Sequence, residues 1–110
     1  NAIYNELRYR GYSVDIGNVE INGVDEKGTK ARRMLEVDFV CNRSYKRCYI
    51  QSALRLLDKG KMQQELASLL RIDDSFMKYV ITGDIIKKYQ NDAGIVFMDV
   101  FDFLLDKESV

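Results

Sequence analysis

The chain has 110 residues, with 17 basic and 17 acidic side chains, no histidine and no proline. That length makes one domain with a modest core, and the charge balance leaves no overall field drawing it to nucleic acid or anionic lipid. No apolar run approaches the roughly 20 residues of a membrane span, nothing reads as a signal peptide, and the absence of histidine removes Ser-His-Asp and Cys-His catalysis.

The two cysteines, Cys41 and Cys48, read as reduced thiols in a cytoplasmic protein. Two thiols without a histidine make a poor zinc site. Helix-forming residues begin directly at Asn1, so the chain is expected to be part of a longer protein.

Residues 1 to 10 place Ile3, Tyr4 and Leu7 on one helical face, and Gly11 suits the stop. Glu6 flanks that stripe with Arg10 four residues on, which taken alone is a surface ion pair worth a few tenths of a kcal/mol. Residues 12 to 22 alternate as a strand, with Gly17 marking an expected bulge. A polar loop is expected from Gly23 to Arg33, carrying Lys27, Lys30, Arg32 and Arg33.

Leu35 to Ala53 reads as a hairpin turning at Ser44 and Tyr45, in which opposed residues have numbers that sum to 89. Cys41 then faces Cys48, Phe39 faces Ile50, and Asp38 faces Gln51. One face carries Val37, Phe39, Cys41, Cys48 and Ile50 as core. The other carries Glu36, Asp38, Val40, Tyr49, Gln51 and Ala53. Carboxylates in such a strand are costly unless paired, hydrated or holding a metal.

Residues 58 to 71 form an amphipathic helix with Asp58 as N-cap and Met62, Leu66, Leu69 and Leu70 as its buried stripe. A strand follows from Lys78 to Thr82. Residues 84 to 94 read as irregular, Ile95 to Met98 as a strand, and Asp99 as the cap of a last short helix with Phe101, Leu104 and Leu105. The order predicts an α/β fold with a mixed sheet, antiparallel where strands are consecutive and parallel across the helix after Ala53.

A P-loop is absent, since no glycine precedes Lys-Ser or Lys-Thr at the required spacing. The chemistry left open is a hydrated Mg²⁺ or Mn²⁺ held by carboxylates and activating water against a phosphodiester. Glu6 and Asp38 are its candidate ligands, Gln51 a neutral oxygen donor and Glu36 an outer group.

The helix-βββ-α-β order, with Glu6, Asp38 and Gln51 in the first helix, second strand and third strand, resembles the PD-(D/E)XK nuclease core. Stretches 4 to 14 (YNELRYRGYSV), 35 to 42 (LEVDFVCN), 49 to 53 (YIQSA), 69 to 76 (LLRIDDSF) and 102 to 106 (DFLLD) resemble, more closely, an uncharacterised C-terminal domain of bacterial and archaeal AAA-type ATPases with a nuclease-like tail. The resemblance implies a restriction-endonuclease-like αβββαβ core over residues 1–110, and Glu6, Asp38 and Gln51 as metal and catalytic positions. It also implies an N-terminal ATPase domain as partner, and allows a second copy of the chain or nucleic acid as others.

The departure is Ala53, which stands where the family has the lysine that orients the attacking water and stabilises developing charge. Lys59 and Lys61 are the substitutes within reach of the sequence. With glutamine at 51 and alanine at 53, the expectation is a catalytically degenerate accessory domain that acts through protein or nucleic-acid contacts. The alternative is an active divalent-metal-dependent DNA endonuclease.

Overall fold

A computed structural model describes residues 1–24, 27–53, 55–56 and 59–110, with side chains at all of these except 18, 20–24, 30–35, 59, 61 and 65. The elements are α1 (Ala2–Tyr9), β1 (Ser13–Val24), β2 (Lys30–Arg43), β3 (Lys46–Ala53), α2 (Lys59–Leu70), β4 (Met77–Thr82), β5 (Tyr89–Gln90), β6 (Ile95–Asp99) and α3 (Val100–Leu105). The strands form one mixed α/β sheet in the order β1-β2-β3-β4-β6-β5. β1, β2 and β3 are antiparallel, β3, β4 and β6 parallel, and β5 antiparallel to β6.

Both faces of the sheet are covered, so its central strands read as continuous apolar runs. On one face Ile3 and Leu7 of α1 and Phe103 of α3 pack on Phe39, Cys41, Cys48, Ile50, Ile81 and Met98. On the other, Leu69 of α2, with Met62 and Leu66 beside it, packs on Val37, Val40, Tyr49, Ala53, Val80 and Phe97. The face to which the sequence assigns Val40, Tyr49, Gln51 and Ala53 is therefore a second core. Leu70, expected in the stripe, ends α2 and is exposed, a turn of about 100° round from Leu69. The expected cap Asp58 lies outside the described residues.

The hairpin turns as expected, with Cys41 opposite Cys48, Phe39 opposite Ile50 and Ser44 at φ 59°. The loop expected from Gly23 to Arg33 is shorter than that, because β1 continues to Val24 and β2 starts at Lys30. Alternation across those polar residues continues the ladder regardless of their charge. The irregular stretch 84 to 94 holds the two-residue β5, whose Tyr89 ring stacks on Phe97 with centroids 4.7 Å apart.

Tyr12 is buried, and its hydroxyl has no hydrogen-bond partner among the described residues. Arg43 and Lys46 lie over its ring, a contact that phenylalanine also offers. Tyr12→Phe removes the unpartnered hydroxyl, so it is expected to raise stability by about 1 kcal/mol in a denaturant melt.

Candidate functional site

The site is organised by a bulge in β2. Between the pairs Asp15–Val40 and Gly17–Val37, β1 advances two residues while β2 advances three. Sequence reading placed the irregularity at Gly17 of β1; the extra residue is in β2, at Asp38 and Phe39. A bulge re-aims the side chains beside it. Val37 and Phe39, two apart, consequently pack in opposite layers, and Asp38 leaves the face it would have shared with Gln51.

The β2/β3 ladder begins at Phe39–Ile50, leaving the backbone beyond it without strand partners on that side. Two side chains close the gap. The amide of buried Gln51 accepts from the Asp38 N–H at 2.8 Å through Oε1 and donates to the Glu36 carbonyl at 3.4 Å through Nε2. Asp38 in turn accepts from the Ser52 N–H at 2.7 Å through Oδ2. Each side chain thus replaces backbone that the bulge has displaced, which buried amide groups require.

Asp38 borders an open cleft of about 540 Å³, with Asn1, Tyr4, Ile16, Phe39 and Ser52. A smaller cleft of about 360 Å³ adjoins it, reaching Thr82, Gly83 and Val100 at the C-terminal ends of β4 and β6. Asn1 caps α1 here, its Oδ1 accepting from Ile3 N at 2.8 Å and Tyr4 N at 3.3 Å.

Glu6 serves a different neighbourhood. It lies two residues after Tyr4, about 200° round the helix, and its Oε1 meets Arg10 Nε at 3.1 Å and Lys107 Nζ at 2.6 Å. The hydrogen bond from Lys107 holds the Glu6 carboxyl below its ordinary value against desolvation, the next largest effect, with a lesser contribution from the Arg10 hydrogen bond. Arg10 is itself almost wholly buried and bonds Ser109 Oγ at 3.1 Å, the Asp106 carbonyl at 3.1 Å and the Phe103 carbonyl, with its guanidinium 4.5 Å from the Phe103 ring centre. The surface ion pair read from the sequence is the visible end of a buried clamp joining α1 to α3 and the segment after it.

The structure therefore joins Asp38 to Gln51 and sends Glu6 elsewhere. An octahedral Mg²⁺ or Mn²⁺ needs oxygens that converge. Glu6 is turned to two cations, Gln51 Oε1 to the Asp38 amide, and no group of three His, Cys, Asp or Glu residues converges among the described residues. The donor set does not fit the ion. Glu36 is exposed and takes part through its backbone. Ala53 is 3% exposed, packed in the α2 layer. The side chains of Lys59 and Lys61 lie outside the described residues.

Sequence reasoning missed Ser52 and Tyr4 as neighbours of Asp38. Their signal lay in the bulge, which spacing alone does not reveal. Cys41 and Cys48 are free thiols at 0% exposure, and their mutual hydrogen bond together with burial raises the Cys41 pKa.

No family model matches the chain. Over 105 residues, 96% of its length, it is 32% identical to an uncharacterised protein of Haemophilus influenzae, and the match covers 22% of that protein. The chain thus spans about a fifth of the length of this relative. No helix among the described residues is long and apolar enough to cross a membrane.

Proposed function

We propose that this chain is a nuclease-like accessory domain that has lost catalysis and acts as a docking unit within a longer cytoplasmic ATPase. The observation that carries this reading is that the Gln51 side chain accepts from the Asp38 N–H and the Asp38 side chain from the Ser52 N–H, so that the residues at two motif positions complete the sheet. Ala53 in the core at the lysine position and Glu6 in the Arg10 clamp support it. The match to a fifth of a longer protein accords with a domain that serves a larger chain.

Two measurements test it. Supercoiled DNA incubated with the domain and Mg²⁺ or Mn²⁺ is expected to remain intact. Nicking that disappears in Asp38→Ala would overturn the reading in favour of a metal-dependent endonuclease. In the full-length protein, deletion of the domain is expected to change ATP turnover. Unchanged turnover would remove the docking role even if catalysis is absent.

A further inference from the structure

β1 forms one margin of the sheet, and the other margin is β5, only two residues long. Proteins protect an exposed edge by keeping it short or by placing lysine or proline on it. The β5 edge is protected by its length. β1 is long: it runs twelve residues, Ser13–Val24, and contains no lysine, arginine or proline, its charges being Asp15 and Glu20. Ile16 on it is 73% exposed.

A second observation concerns what β1 supports. The β2/β3 ladder ends at Phe39–Ile50, but the β1/β2 ladder continues from Gly17–Val37 out to Val24–Lys30. That outer half is a two-stranded ribbon. Such a ribbon is marginal by itself and gains stability from a third strand or a packed helix. Layer contacts with α2 include Val19 and Val37 at its base.

We propose that β1 pairs with β1 of a second copy, antiparallel about a twofold axis through the middle of the strand, joining two sheets into one. Directly opposed residues share a face, so the axis falls on a residue rather than between two. Asn18 and Val19 are the central positions. The symmetry lays Ser13 to Gly17 of one copy, anchored in its body, beside the outer half of β1 of the other. Each ribbon thereby receives the third strand it lacks.

Charge agrees with either register. The two charged residues of β1 are Asp15 and Glu20. With the axis on Asn18 they oppose Ile21 and Ile16; with it on Val19 they oppose Gly23 and Asn18. Neither meets a like charge. Because the β5 edge is too short to accept a comparable strand, assembly closes at two copies instead of extending into a fibre. The pairing uses the backbone edge of β1, and it stands whether or not the Asp38 centre is catalytic.

Light scattering of the 110-residue chain across a concentration series tests this. The wild type is expected to reach twice the chain mass, and Ile16→Lys to weaken self-association by at least about tenfold while its circular-dichroism spectrum remains that of a folded chain. Asn18→Cys is expected to yield a covalent dimer with a short bis-maleimide, while Tyr45→Cys at the exposed hairpin turn yields none. A wild type that stays monomeric at the highest soluble concentration overturns the proposal. So does a dimer that Ile16→Lys leaves intact and that crosslinks through Tyr45→Cys instead.

Discussion

Arg10→Ala is expected to destabilise the protein by about 3 kcal/mol, because it removes several charge-assisted hydrogen bonds from a site closed to water. The guanidinium side chain is 4% exposed and reaches Glu6, Ser109 and the carbonyls of Phe103 and Asp106 while lying over the Phe103 ring. The two carbonyls retain other donors, Ser109 Oγ for Phe103 and Ser109 N for Asp106. The loss is therefore of the clamp and its packing, not of orphaned acceptors, which keeps the figure at the lower end of the range for buried charges. Arg10→Lys keeps one bond to Glu6 but cannot reproduce the fork, so it should recover less than half of the loss.

Urea melts of the three proteins measure these differences, and pH adds a control. Glu6 is held below its ordinary value near 4.5 by Lys107 and Arg10. A carboxylate with a depressed folded-state pKa contributes stability that is complete above its unfolded value and is lost as pH falls through the folded one. The gap between wild type and Arg10→Ala should accordingly narrow as acid removes the Glu6 charge. A gap that stays constant down to full protonation would show that Arg10 acts through the C-terminal carbonyls and the Phe103 ring alone.

The sequence revealed what local rules control. The hairpin register around Cys41 and Cys48 followed from turn position and alternation, and Asp99 declared itself as a cap, its Oδ1 accepting from Asp102 N at 2.8 Å. Its second bond, Oδ2 accepting from Ile86 N at 3.1 Å, depends on a loop thirteen residues away and left no local trace. The same distinction explains the site. Glu6, Asp38 and Gln51 were visible as residues, yet the pairing of Asp38 with Gln51 rested on strict alternation through Asp38, which the bulge interrupts. The placing of Glu6 beside them rested on the packing of α1, whose Glu6 turns instead to Arg10 and Lys107. Arg10 was read with its helical neighbour because the segment that buries it, from Phe103 to Ser109, lies about ninety-five residues away in the chain.

Ala53→Lys introduces the lysine that the proposed nuclease-like reading would require at this position, and it is expected to disrupt the fold rather than create a catalyst. Ala53 is 3% exposed in the layer that includes Val37, Tyr49, Leu69 and Phe97. A four-carbon stem overfills that space, and an ammonium there is buried without a designed partner. Together these effects cost on the order of 3 to 5 kcal/mol, a large part of the roughly 5 to 15 kcal/mol that stabilises a typical domain. Ala53→Met separates the two causes, since it adds bulk without charge and should lose about 1 to 3 kcal/mol. Asp38 opens on the cleft beside Tyr4 and Phe39, and Ala53, which borders the adjoining smaller cleft, has its packing partners in the opposite layer with Leu69 and Phe97. The variant is therefore expected to melt early and to leave supercoiled DNA intact with Mg²⁺. A well-folded Ala53→Lys that nicks DNA would reverse the reading: it would show that position 53 can open toward Asp38, and that a single side chain separates this domain from catalysis.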